Sequence, residues 1–294
     1  GGTFNIVATG LAELMREAFP ETLVGVEPGG SGPNILRVSQ DKVDLGITSA
    51  NNACDAYKGR DPATPENPVK NLRGLMTFFP SAIQVWVPAQ SDIHAFEDLK
   101  GKHISASQPG QTAWLAFMNL LKVHDMSVSD IEHGGGKLHK LSWRESHKGL
   151  RDGQLDAVMW VSLYPHPTTQ QTAISRPLRT LSFEDDAIQE YLEKYGCGFQ
   201  KVKLPANMYK GMENPSYTVG TKTFLFASED MSEEMAYKVV KTTWDNLERF
   251  KKTHSLLNFM SKDTVGKGMF VPVHPGAQKF FDEQGIQYDK AELK

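Results

Sequence analysis

Residues 24–57, VGVEPGGSGPNILRVSQDKVDLGITSANNACDAY, decide the fold. Val24 to Glu27 reads as a short strand closed by Pro28-Gly29-Gly30. A helix is expected from about Pro33 to Ser39, a buried strand from Asp44 to Thr48 on the strength of Leu45 and Ile47, and a second helix from Asn51 to Tyr57. Strand, helix, strand, helix with tight glycine and proline punctuation is the pattern of an α/β domain with a largely parallel sheet. Upstream, Leu11, Leu14, Met15 and Ala18 recur at i, i+3, i+4, i+7 and predict a helix from Leu11 to Phe19 that stops at Pro20.

Downstream, the proline- and charge-rich stretch from Arg60 to Asn71 reads as a surface loop, followed by strands Leu72 to Phe79 and Ala82 to Val87. A second α/β set then opens. It comprises strand His103 to Ser107, helix Thr112 to His124, strand Lys137 to Leu141, helix Arg144 to Asp152 and strand Ala157 to Val161. A strand from Val219 to Ala227 precedes a long helix, Ser232 to Lys251, with Ser232 as N-cap and Glu233 and Glu234 in the first turn. A last helix runs from Pro275 to Gln284. Two α/β sets joined by crossing segments near Val87 and Val219 predict two lobes: residues 1–88 with 213–294, and residues 89–212. Ligand sites favour domain interfaces and the carboxyl ends of parallel strands, so a cleft between the lobes is the expected site.

Composition excludes several classes of function. Of 294 residues 39% are hydrophobic, which rules out a disordered chain. Lys and Arg total 32 against 35 Asp and Glu, a net charge of −3 without a basic run, so nucleic acid is not an expected partner. No apolar run approaches the length of a membrane span. Two cysteines, Cys54 and Cys197, exclude a disulfide-dense scaffold and a four-cysteine zinc site, and leave a single bridge open. There is no Gly-x-Ser-x-Gly and no His-Glu-x-x-His, and Gly134-Gly135-Gly136-Lys137 lacks the spacing and following hydroxyl of a phosphate loop. Catalytic residues, a metal and a cofactor are therefore not expected; the chain reads as a binder.

Two glycine-containing loops, each opening a helix, are the expected binding elements: Glu27-Pro28-Gly29-Gly30-Ser31-Gly32-Pro33-Asn34 and Ser107-Gln108-Pro109-Gly110-Gln111-Thr112. Free N–H groups at a helix start, together with the positive end of the helix dipole, attract carboxylate or phosphate. Trp114 falls in the first turn after Gln111-Thr112, Trp143 follows strand Lys137 to Leu141 and Trp160 ends strand Ala157 to Val161. A tryptophan at a strand's carboxyl end could wall a pocket, and Arg144 could hold a carboxylate through two parallel hydrogen bonds.

In their order and spacing, several segments together resemble the TAXI-type solute receptors of TRAP transporters. They are Gly1-Gly2-Thr3-Phe4 with Leu11-Ala12-Glu13-Leu14, Glu27-Pro28-Gly29-Gly30-Ser31 with Asn34-Ile35-Leu36, Val43-Asp44-Leu45-Gly46-Ile47, Leu99-Lys100-Gly101-Lys102, Leu150-Arg151-Asp152-Gly153-Gln154-Leu155-Asp156-Ala157, Pro165-His166-Pro167 and His274-Pro275-Gly276-Ala277. The resemblance implies a two-lobe, type II periplasmic binding protein, exported with its leader removed and monomeric, that closes on a small organic anion. Glutamate, glutamine and 2-oxoglutarate are the implied ligand type, and TRAP membrane subunits the implied partner. It places ligand contacts at Thr3 and Asn5 in an opening loop, at Ser31 and Asn34, at Ser49 and Asn51, and at Gln111, Thr112 and Ala113. Backbone amides at Gly30 to Ser31 are added from the helix-start reading. Trp160 and Tyr164 complete the expected pocket, in a stretch where Ser162-Leu163 replaces the family's Gly-Gly pair. An enzyme or a sensory ligand-binding module on the same fold is the alternative.

Overall fold

A helix, not a loop, opens the described part of the chain. The computed structural model describes residues 3–60, 67–109 and 111–290. The helices are α1 (Thr3–Ala18), α2 (Ser31–Ser39), α3 (Ala50–Tyr57), α4 (Thr112–Val123), α5 (Val128–Glu132), α6 (Trp143–Arg151), α7 (Pro167–Ser175), α8 (Asp185–Tyr195), α9 (Glu233–Asp245), α10 (Leu247–Lys251) and α11 (Pro275–Gln284). The strands are β1 (Leu45–Ser49), β2 (Leu72–Pro88), β3 (His103–Ser105), β4 (Lys137–His139), β5 (Ala157–Ser162), β6 (Leu178–Thr180), β7 (Gln200–Leu204) and β8 (Ser216–Ser228). Hydrogen-bonded neighbours run β1-β8-β2-β5-β3-β4, with β6 on β2 and β7 on β8. Pairing is parallel within β4-β3-β5 and antiparallel for β1 with β8, β2 with β5 and β6, and β7 with β8. The result is a mixed sheet flanked by helices.

The chain forms two compact units, residues 1–80 with 221–294 and residues 81–220. The divisions fall inside β2 and β8, where the sequence reading put them at 88/89 and 212/213. Strands 72–79 and 82–87, expected as separate, are one 17-residue strand. Pro80 and Ser81 interrupt the apolar run without turning the chain: proline removes one ladder donor but keeps an extended φ.

In the first unit, β1 lies on β8 in the register Gly46 to Phe226. A Cβ on Gly46 would stand 2.5 Å from the Phe226 ring and 3.0 Å from Val38, both fully buried. Gly46→Val is expected to cost about 1–3 kcal/mol by overpacking, read as a lower urea midpoint. Behind the sheet, Phe78 meets Phe250 edge-on at 5.6 Å, and Phe280 of α11 packs against Tyr237 and Trp244 of α9. The helix expected over 232–251 is two helices, broken at Asn246, whose side chain donates to the Thr242 carbonyl. Val24 to Glu27 is not a strand. Leu23 beside it is fully exposed, and the carbonyls of Val24 and Pro28 accept from Arg16 and Arg37 side chains in place of a neighbouring strand. Part of the expected loop, residues 61–66, lies outside the described residues.

In the second unit one apolar cluster gathers Phe96, Phe117, Leu120, Ile104, Met159 and Tyr191 around β3, β5 and α4. Another gathers Trp86, Leu150, Val158, Leu178 and Tyr209 under α6 and α7. His147 ties α6 to α7. Its Nδ1 stands 3.0 Å from the Trp143 carbonyl, which can only accept, so Nδ1 carries the hydrogen. Nε2 then accepts from the Thr169 hydroxyl at 3.0 Å. Burial holds this imidazole neutral, its pKa lowered to about 4. The unfolded chain takes up the proton near pH 6.5, so the stability that His147 contributes is whole above that pH. It is lost as pH falls toward 4, a difference of about 3 kcal/mol. Urea unfolding of the wild type should therefore weaken more between pH 6.5 and 4.5 than that of His147→Gln; equal slopes would contradict this.

Candidate functional site

Within the first unit, β1 ends between two helix starts. Gly30 precedes α2 with extended backbone (φ −153°, ψ 178°) and no side chain to cap it. The first turn offers the N–H groups of Ser31 and Gly32; Pro33 has none, and that of Asn34 bonds the Gly30 carbonyl at 2.9 Å. Ser49, the residue before α3, also leaves its helix uncapped. Its hydroxyl donates to Asn52 Oδ1 at 2.6 Å, while its N–H reaches Ser31 Oγ at 3.4 Å. The Ser31 hydroxyl hydrogen is then left to a ligand or to Ser49 Oγ, 3.4 Å away.

Asn51 is 6% exposed. Its N–H donates to Thr221 Oγ1 at 3.2 Å, its Nδ2 to Asn52 Oδ1 at 3.3 Å, and its Oδ1 is buried with no partner. Asn34 is committed elsewhere: Nδ2 donates to the Ile47 carbonyl at 2.8 Å, tying α2 to β1. The structure thus brings Gly30, Ser31, Ser49 and Asn51 into one polar cluster and gives Asn34 the task of supporting it. Thr3 and Asn5, expected in a loop, sit in the first turn of α1, where the Asn5 carbonyl accepts from Thr9. No hydrogen bond among the described residues joins either to the cluster. Asn52 and Thr221 were not anticipated. Asn52 could have been found as the third residue of α3; Thr221 lies 170 positions from Asn51 and leaves no local signal.

In the second unit, α4 begins at Thr112 after Gln111, again without a side-chain cap. The Gln111 amide oxygen accepts from the buried Ser107 hydroxyl at 2.6 Å, and Ser107 holds left-handed backbone (φ 72°). Gln111 and Thr112 are exposed and Ala113 is buried. Gly110 of this loop lies outside the described residues. Trp160, on β5 opposite Gln84, is half-buried. It packs edge-on against Trp143 at 5.1 Å, and its Nε1 is buried without a partner. Tyr164 follows β5 and precedes a cis proline bond; burial pushes its hydroxyl up to about 12. Both rings pack against the apolar cluster under α6 and α7.

The uncapped starts of α2, α3 and α4 contrast with other helices of the chain. Ser127, Ser142 and Ser232 cap α5, α6 and α9, and His166 and His274 cap α7 and α11. α8 and α10 also lack a side-chain cap but carry Asp185 with Asp186 and Glu248 in their first turns, whereas α2, α3 and α4 have no acidic residue there. At α3 the Asn51 N–H is taken by Thr221; at all three starts the dipole and the remaining first-turn donors are left uncompensated by side-chain charge. Among the described residues no three His, Cys, Asp or Glu side chains are placed to hold a metal, and no helix is long and apolar enough to cross a membrane.

Solved structures share the fold of this chain. XAC2383 from Xanthomonas citri, bound to chloride ion, aligns over 95% of this chain and 89% of its own at 9% identity, with a TM-score of 0.52. MatC from Rhodopseudomonas palustris with bound malate aligns over 87% of this chain and 85% of its own at 15% identity, TM-score 0.50. The periplasmic aliphatic sulphonate binding protein SsuA from Escherichia coli covers 94% and 75% at 16% identity, TM-score 0.47. The mixed α/β architecture is shared with XAC2383 and MatC. With residues 1–285 matching its pattern, the chain belongs to the NMT1-like family.

Proposed function

We propose that the chain is an extracytoplasmic solute receptor that captures a small organic anion, an amino acid or a dicarboxylate such as glutamate or 2-oxoglutarate. It delivers that ligand, unchanged, to the membrane subunits of a TRAP-type, ion-coupled permease. The observation that carries this reading is the set of uncapped helix starts, α2 and α3 around Ser31, Ser49 and Asn51, and α4 at Gln111, Thr112 and Ala113. A carboxylate is the group such N–H donors favour. The shared fold of MatC, which has malate bound, supports a ligand of dicarboxylate size. Trp160 and Tyr164 supply apolar wall, and Thr3 and Asn5 further polar side chains. The resemblance to TAXI receptors supports the TRAP partner and a periplasmic location.

A thermal-shift panel of organic acids, amino acids and neutral compounds tests the ligand class, since a ligand that binds the folded state raises the melting temperature by mass action. A shift with one dicarboxylate or amino acid and none with neutral analogues is expected; shifts with neutral compounds alone would overturn the anion reading. Gln111→Glu keeps an oxygen for the Ser107 hydroxyl but sets a negative charge at the start of α4. Affinity for that anion should fall by about tenfold or more, which is 1.4 kcal/mol. Unchanged affinity in a titration would remove α4 from the site.

A further inference from the structure

We propose that the groove between α6 and α7, within the second unit, is a binding site for a small organic polyanion, separate from the site of the transported solute. The groove encloses about 470 Å³ and is lined by Arg144, Lys148 and Arg151 of α6 and by Thr168, Gln171, Thr172 and Ser175 of α7, with Trp143 at one end. That volume is in the range of small-molecule pockets.

The two walls have different chemistry. Positions 144, 148 and 151 recur at i, i+4, i+7, so three cations line one helical face along about 10 Å at 1.5 Å per residue. Positions 168, 171, 172 and 175 put hydroxyls and one amide on the facing helix, where carboxylates are absent. Glu145, the acidic residue nearest Arg144 in sequence, is turned back to the helix start: its Oε2 accepts from the N–H and hydroxyl of Ser142 at 2.9 and 2.6 Å. Asp152 is shared by Lys148 and Arg151, each 3.0 Å away. Arg144 has no ion pair among the described residues. Three cations against one carboxylate leave a local excess of positive charge on a chain whose net charge is −3.

The walls are also held in place. His147 joins Trp143 to Thr169 through both ring nitrogens, and Trp143 is packed by His147 at 4.1 Å, His166 at 4.3 Å and Trp160 at 5.1 Å between ring centres. A fixed, concave surface with several cations and neutral donors suits a compact molecule with two or more anionic groups. The Trp143 ring gives its carbon skeleton an apolar end to rest on.

Calorimetric titration of the full chain at low salt, with citrate in one arm and pyrophosphate in another, tests this and separates polycarboxylate from phosphate sources. Binding of at least one probe with a sub-millimolar Kd is expected, weakened about tenfold or more by Arg144→Glu and by raising salt from about 0.02 to 0.2 M. Gly30→Asp, which acts in the other unit, should leave this binding as it is. Neither probe binding, or a bound probe indifferent to Arg144→Glu, would overturn the proposal. So would affinity for a polyglutamate peptide with neither small probe bound, since the groove would then be a surface for an acidic partner.

Discussion

Gly30→Asp is expected to weaken anion capture by about a hundredfold or more while leaving the melting temperature unchanged or slightly raised. The backbone at Gly30 is extended, a conformation open to any residue, and a Cβ there meets nothing within 4 Å. Aspartate is among the preferred residues at a helix start, where its carboxylate accepts from the first-turn N–H groups and stabilises relative to glycine by a few tenths of a kcal/mol. The same carboxylate would occupy the donor of Gly32, the second helical residue (Pro33, the third, has no N–H), and repel an incoming anion. Two such losses together approach about 2.7 kcal/mol, or a hundredfold in Kd. Titration beside thermal unfolding checks both halves. A variant that binds as well as the wild type would mean that the α2 start is not a ligand contact.

Trp86→Ala is expected to remove about 3–5 kcal/mol of stability, the range for deleting a large buried aromatic. Trp86 is fully buried on β2. Its ring meets Trp143 edge-on at 5.8 Å, His147 at 5.2 Å and Tyr209 at 6.4 Å between centres. It therefore underlies the very helix whose outer face forms the basic groove. Trp86→Phe, which keeps most of the volume, should cost less than half as much. Urea unfolding followed by circular dichroism reads the difference; a loss below about 1 kcal/mol for the alanine variant would show that the cluster can collapse onto the cavity.

Alternation of Leu45 and Ile47, and glycine or proline at the joints, made β1, α2 and α3 readable to within two residues. Where backbone groups are satisfied by distant side chains, local pattern misleads. Val24 to Glu27 has a strand's composition, but arginines from α1 and α2 take the carbonyls that a strand partner would use. α1 starts eight residues before the expected Leu11: its buried face begins at Val7, a turn earlier, and Thr3, Phe4 and Asn5 extend the first turn without an apolar signal. Between 165 and 212 the sequence carries no clear element signal, although α7, α8, β6 and β7 are there. β6 is only three residues long, and α7 places small polar residues where a stripe would be sought. At the site, the loop glycines, Ser31 and Gln111 stand out because they open helices, whereas Ser49 and Asn51 enter through the resemblance to TAXI receptors. The hydroxyl of Thr221, which fixes Asn51, belongs to a strand far along the chain, and tertiary pairing alone brings it there.

Equilibrium dialysis of the purified chain against labelled glutamate and 2-oxoglutarate, with the retained label then identified by mass, bears most directly on the receptor reading. One equivalent of a small carboxylate should be retained at saturation, displaced by excess unlabelled anion and recovered chemically unchanged. Recovery of a converted product would make the chain an enzyme. Retention of neither anion, with neutral solutes retained in their place, would contradict the assignment of the uncapped helix starts to a carboxylate.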